Sequence, residues 1–136
     1  QADRYNIRGK QLLGGERKYY LNDLSFKNYL YGFHPEDAGY NLENFIFMEL
    51  KRAGYRVNIG VIDKNEIDFI ATSRKKTLYI QSAYLLNSGD TVKREFDNLL
   101  QIRDNHVKAV VSLDEFRFDN REGILHLWPW ELGSIL

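Results

Sequence analysis

Three observations in the sequence predict an α/β fold, a mixed β-sheet flanked by helices. The run from Asp37 to Gly54 carries apolar residues at helical spacing. Three short segments rich in Ile, Val, Tyr and Phe follow it, at 56–62, 66–72 and 77–84, with turn residues between them. After a further amphipathic helix, Ala109-Val110-Val111 is apolar at consecutive positions, as in a strand covered on both faces. The resulting core order is helix, strand, strand, strand, helix, strand: a meander followed by a strand reached through a crossover.

The elements follow in turn. Residues 4–13 are polar, lack a clear period and read as a docking arm. Lys18-Tyr19-Tyr20-Leu21 reads as a short strand, and Asp23 is placed to cap a helix over 24–31 that Gly32 ends. In the long helix Leu42, Phe45, Ile46, Leu50 and Ala53 form the expected buried stripe, with Glu43 beside it. Val57, Ile59 and Val61 share one face of the first meander strand. Phe96, Leu99 and Leu100 are the inward residues of a helix over 91–102. Strands over 108–113 and 124–128 come next, and Pro129 starts a last short helix.

With 136 residues the chain suits a single domain, 1–136: an arm and short helix at 1–32, a core at 35–113, and a strand and helix at 124–136. The absence of cysteine rules out a disulfide framework or a thiolate metal site and fits a reducing cytoplasm. No apolar run is long enough for a membrane span, so no membrane partner is expected. No basic-then-apolar signal segment is visible in this stretch, and a chain starting at Gln1 is expected to continue upstream. Lys plus Arg equals Asp plus Glu at 19 each, so any pull on nucleic acid must come from local patches.

The residues that invite chemistry are acidic. Glu66 and Asp68, two apart on a strand, share a face. Asp68 lies between Ile67 and Phe69, an unusual place for a carboxylate in a core strand. On the third meander strand Gln81 and Ala83 share a face, and Glu43 comes from the preceding helix. Glu43, Asp68 and Gln81 are expected to converge on one pocket, with Asp68 and Gln81 on the same sheet face.

This arrangement resembles the restriction-endonuclease-like superfamily, in which a helix Glu, a strand Asp and a Glu-x-Lys on the next strand hold Mg²⁺ and activate water. Asp68 and Glu43 match; Gln81 stands for the second carboxylate and Ala83 for the Lys. The Gln keeps only a neutral carbonyl oxygen, and the Ala removes the ammonium. A narrower resemblance covers nearly the whole chain: Arg4-Tyr5-Asn6-Ile7-Arg8-Gly9-Lys10, Lys18-Tyr19-Tyr20-Leu21-Asn22-Asp23-Leu24, Leu42-Glu43-Asn44 with Glu49-Leu50, Glu66-Ile67-Asp68-Phe69, and Tyr79-Ile80-Gln81. Together they are similar to the domain of unknown function at the C-terminus of many prokaryotic AAA-type ATPases. That resemblance implies an ATPase domain upstream, which alone would use ATP, since this chain has no phosphate-binding loop.

The expectation is therefore a non-catalytic accessory or recognition domain with a degenerate nuclease site. It would need no cofactor, and its partners would be the upstream ATPase domain and a protein or nucleic acid. One alternative is an Mg²⁺-dependent nuclease rebuilt from Glu43, Asp68, Glu66 and a migrated base such as Lys93; another is a plain interaction or oligomerisation module. Arg74-Lys75-Lys76 is a basic turn, and Lys93 with Arg94 opens the later helix; both are candidate phosphate contacts, with a solvated turn the blander reading. His34, His106 and His126 lack metal-ligand spacing and are read as structural. Trp128 and Trp130 are read as packing.

Overall fold

A computed structural model describes residues 1–86 and 88–136. The meander forms as expected, from β3 (Arg56–Ile62), β4 (Asn65–Thr72) and β5 (Thr77–Ala83). It belongs to a seven-stranded mixed sheet that also holds β1 (Ala2–Asn6), β2 (Gln11–Lys18), β6 (Val107–Ser112) and β7 (Ile124–Leu127), in the order β2-β1-β3-β4-β5-β6-β7. β5, β6 and β7 run parallel. Helix α1 (Leu24–Tyr31) precedes the core, α2 (Ala38–Arg52) packs on one sheet face, and α3 (Gly89–Leu100) packs on the other. The core order α2-β3-β4-β5-α3-β6 is the one the sequence predicts. Among the described residues no helix is long and apolar enough to cross a membrane.

The expected arm is instead a β-hairpin. β1 pairs antiparallel with β2 and parallel with β3. β2 is an edge strand whose residues are mostly exposed, so pairing rather than an apolar face defines it. Its positive-φ Gly15 breaks any alternation a reader would look for. The expected strand at 18–21 is correspondingly only the end of β2, and residues 19–21 leave the sheet.

Two helix starts are held by side-chain caps. Asp23 Oδ1 accepts from Ser25 N at 2.8 Å, and Ser88 Oγ accepts from Thr91 N at 3.1 Å. α1 ends at Gly32, as expected, where a φ of 81° suits a residue without a Cβ. On α2 the buried residues are Leu42, Asn44, Ile46, Phe47 and Leu50. Phe45 and Ala53, expected in the stripe, are exposed, because the helix turns Phe47 rather than Phe45 toward the sheet.

Two apolar clusters lie against the sheet. Under α2, Ile46, Leu50, Ile59, Phe69, Leu78, Ile80, Ala109 and Val111 pack together. Under α3, Ile62, Ile67, Ile70, Tyr79, Phe96, Leu99 and Val110 do so. Their membership reveals an irregularity in β4. Asn58 pairs with Ile70, yet Gly60 pairs with Ile67, so Ile59 opposes both Asp68 and Phe69. This is a β-bulge, which breaks alternation and re-aims a side chain. Ile67 faces α3, Asp68 and Phe69 both face α2, and Ile70 faces α3 again. Gly60 sits tightly beside it; a Cβ there would lie 2.9 Å from Ile67 Cβ.

Candidate functional site

Glu66 and Asp68 share a face by alternation, the bulge after Asp68 turns that face toward α2, and both meet Glu43 there. A lysine lies among all three. Lys18 Nζ is 2.7 Å from Glu66 Oε1, 3.1 Å from Glu43 Oε1 and 3.9 Å from Asp68 Oδ1. Arg4, from β1, adds a second cation 3.0 Å from Glu66 Oε2. Tyr20 donates its hydroxyl to Glu43 Oε1 at 2.7 Å.

Local chemistry explains how Lys18 arrives there. Buried Asn44 on α2 captures the chain just past β2: its Oδ1 accepts from Leu21 N at 2.7 Å and its Nδ2 donates to Leu21 O at 2.9 Å. The Tyr20 ring stacks on Phe47, centroids 4.2 Å apart. The segment is thereby fixed across α2, with Lys18 and Tyr20 reaching the carboxylates.

Asp68 is held by β5. Its Oδ2 accepts from both Ser82 N and Ser82 Oγ at 2.8 Å. Burial raises its pKa to about 6, helped by the charge of Glu43; the Ser82 hydrogen bonds and Lys18 only partly offset this. Burial alone would lower the pKa of Lys18, but its hydrogen bond to Glu66 and the charges of Glu43, Asp68 and Glu66 outweigh that and raise it. Burial, then the bond to Glu43, pushes the Tyr20 hydroxyl well above the usual tyrosine range, so it stays a donor. Three carboxylates thus face two cations, and the excess negative charge is least welcome on Asp68.

The placement of Gln81 and Ala83 corrects the sequence expectation. Gln81 pairs with Val110, and Ala83 packs in the α3-side cluster, so both face α3. Asp68 faces α2, and the bulge is the reason. Gln81 reaches Asp68 only at the main chain, where its Oε1 accepts from Asp68 N at 3.3 Å. The residue that meets the Asp68 carboxylate is Ser82, which motif reading passed over. Lys18, Tyr20 and Arg4 fall inside the quoted motifs, but nothing in the sequence assigns them to the carboxylates: Arg4 and Lys18 are delivered by strand pairing and Tyr20 by the capture of Leu21 on Asn44.

The other candidate cations lie elsewhere. Lys93 is exposed on α3, on the opposite side of the sheet, and so cannot replace the missing lysine. Arg94 pairs with its neighbour Glu95 at 2.7 Å. In the basic turn, Arg74 and Lys75 are exposed, whereas Lys76 Nζ donates to Ile135 O at 2.6 Å and ties down the C-terminus.

The histidines behave structurally. His126 is buried; its Nδ1 accepts from Phe118 N at 3.0 Å, so its Nε2 carries the proton toward Ser112 Oγ at 2.7 Å. Ser112 in turn donates to Asp114 Oδ2 at 2.6 Å. Burial lowers the His126 pKa, and the fully buried Ser112 has no access to a substrate. His34 Nε2 bonds Tyr31 O at 2.8 Å, and the His106 ring lies beside Tyr79. Trp128 and Trp130 stack at 5.5 Å, and Trp128 Nε1 donates to Asp114 O at 2.7 Å.

A divalent ion does not fit this arrangement. Mg²⁺ requires oxygens converging at about 2.1 Å. Here the space between Glu43, Glu66 and Asp68 is taken by an ammonium, and Glu43 Oε1 and Asp68 Oδ2 are each engaged by two donors. Among the described residues no group of three or more His, Asp or Glu side chains is arranged to hold a metal ion. What the site does as it stands is offset most of its own negative charge.

Fold and site together define a mixed α/β domain with an internally compensated carboxylate cluster on one sheet face. The chain is 36% identical over 134 residues to a Haemophilus influenzae protein described as uncharacterized, a match covering 97% of the chain and 33% of that protein. The chain therefore spans about a third of that relative's length. No family model and no solved structure matches it.

Proposed function

We propose that this chain is a non-catalytic accessory domain of a prokaryotic AAA-type ATPase, built on a restriction-endonuclease-like core whose nuclease site has been lost. The observation that carries the proposal is Lys18 seated among Glu43, Glu66 and Asp68. A hydrolytic site of that class needs its carboxylates free for a metal and a cation aimed at the attacking water. Here the carboxylates are spent on an ammonium from their own chain. Gln81 and Ala83 lie on the other face, so their match to the second ligand and the lysine is lost, and the kinship rests on Glu43, Asp68 and the element order. The core order α2-β3-β4-β5-α3-β6 and the quoted motifs support the kinship. The greater length of the Haemophilus influenzae relative leaves room for an ATPase domain beside the matched third.

A recognition role agrees with the surface. α1 has no buried residue, and it exposes Phe26, Tyr29, Leu30 and Tyr31 with Phe33 just beyond. Exposed aromatics at this density favour a protein partner, the ATPase domain first. The cytoplasm is the compartment this reading implies.

The competing reading is a rebuilt Mg²⁺-dependent nuclease. Such a site would have to use Lys18, 3.9 Å from Asp68, rather than Lys93 on the opposite side of the sheet. Incubation of the chain with supercoiled plasmid and with single-stranded DNA, in Mg²⁺ or Mn²⁺, separates the two. We expect no cleavage. Nicking that disappears in Asp68→Ala would replace the accessory reading with the nuclease.

A further inference from the structure

Opposite the carboxylate cluster, α3 covers only part of its sheet face. The uncovered part is a cleft of about 1330 Å³. The β1–β2 hairpin forms one wall, the end of α3 and residues 101–106 form the other, and β3, β4 and β5 supply the floor. The floor carries polar groups from Asn58, Thr72 and Thr77 between apolar contacts such as Ile70; Asn58 Nδ2 already donates to Asp3 O and Thr72 Oγ1 to Arg56 O, which leaves their oxygens as acceptors.

The charge along this cleft is uneven. Arg8, Lys10, Arg56 and Arg103 all line it. Among the described residues Lys10, Arg56 and Arg103 have no carboxylate within ion-pair distance, while Arg8 pairs with Asp63 at 2.7 Å. Its two acidic residues are engaged with other groups. Asp104 accepts from Tyr79 OH at 2.8 Å and from Lys108 at 3.1 Å, and Asp97 lies 3.8 Å from Arg121. A chain with no net charge has thus gathered unpaired cations along one concave surface.

We infer that this cleft binds single-stranded nucleic acid along its cationic edges. The cations come from three separate segments: the hairpin turn, the start of β3, and the chain after α3. They suit a row of phosphates better than one anion. Tyr5 and His106 on the walls are flat side chains on which an unpaired base can stack, and the polar floor can meet base edges. The walls favour a flexible single strand over a rigid duplex. This inference is independent of the reading of the carboxylate face, since both an inert and a cleaving domain leave the cleft intact.

The test is fluorescence anisotropy with a labelled oligo-dT of about twelve nucleotides, a length within the usual span of single-strand sites. Saturable binding is expected at low salt. The affinity should fall with a log–log salt slope of about −2 to −3, the value for three to four phosphate contacts on a single strand. The pair Lys10→Glu with Arg56→Glu should weaken binding about tenfold or more, and Arg103→Gln by a smaller factor. The pair Lys75→Glu with Lys93→Glu should leave it within about twofold, because neither residue lines the cleft. Circular dichroism confirms that each variant folds. No saturable binding, a blunt duplex bound as tightly as the single strand, or loss of binding only in the Lys75 and Lys93 pair would each overturn the inference.

Discussion

On the α2 side of the sheet the charges meet one another; on the α3 side, along the cleft, they meet solvent. Glu43, Glu66 and Asp68 share Lys18 and Arg4 in a half-buried cluster. Lys10, Arg56 and Arg103 stand exposed along the opposite cleft, without carboxylate partners among the described residues. Charge withdrawn from water must be compensated within the fold to the extent that water no longer does so. Exposed charge needs no such compensation and stays available to a ligand. The acidic side should therefore matter for stability, and the basic side for binding.

The largest expected effect lies at Lys18. Lys18→Met keeps much of the apolar stem and deletes the ammonium, leaving the carboxylates facing each other. We expect a loss of about 2–3 kcal/mol in urea melts, below the ~3–5 kcal/mol that breaking a fully buried pair costs, since the cluster is only part-buried. Arg56→Met, on the other side, should change stability by less than about 0.5 kcal/mol. Equal costs would erase the distinction between the two faces.

The pH dependence of stability sharpens it further. Asp68 has a folded pKa raised from 3.8 to about 6, so between those values the folded state binds more protons than the unfolded state. Stability should therefore fall as pH rises from about 4 through 6, by ~2 kcal/mol in the absence of compensating shifts. Asp68→Asn should flatten that window, because the amide oxygen still accepts from Ser82 and no longer titrates. The raised pKa of Lys18 acts at the other end: its contribution is intact below 10.5 and is lost only as pH rises beyond that. A profile between pH 4 and 6 that is unchanged in Asp68→Asn would assign the dependence to another group.

Gln81→Glu should cost about 1–2 kcal/mol, because it places a charge at a buried position with no cation among its partners. Mg²⁺ should recover none of this, as Gln81 lies on the face away from Glu43. Metal rescue in denaturant melts would mean that Gln81 belongs to the carboxylate site after all. The smallest effect is expected at Tyr29, which is 86% exposed on α1. Tyr29→Ser should alter stability by less than about 0.5 kcal/mol, and a larger loss in a thermal melt would show that α1 is more deeply engaged with the domain than its surface indicates.

Much of the fold is legible in the sequence where burial writes a period. The α2 and α3 runs, the meander and the apolar β6 are visible for that reason, as is the Asp23 cap. The β1–β2 hairpin is not, because β2 is a polar edge strand held by main-chain pairing. The site divides along the same line. Glu43, Glu66 and Asp68 are visible as acids in structured surroundings, and Glu66 and Asp68 do share a face. The facing of Gln81 depends on the bulge, which strict alternation hides. Lys18 is illegible because its role depends on Asn44 capturing Leu21 across the fold, a contact between residues 23 positions apart.

Calorimetric titration of Mn²⁺ at pH 8, into the wild-type chain and into folded Lys18→Met, tests the central claim most directly. If Lys18 takes the place of a metal ion among Glu43, Glu66 and Asp68, the wild type should give no saturable heat. The variant should then bind one ion, its three carboxylates having lost their ammonium. Stoichiometric binding by the wild type, no tighter in Lys18→Met, would contradict the account.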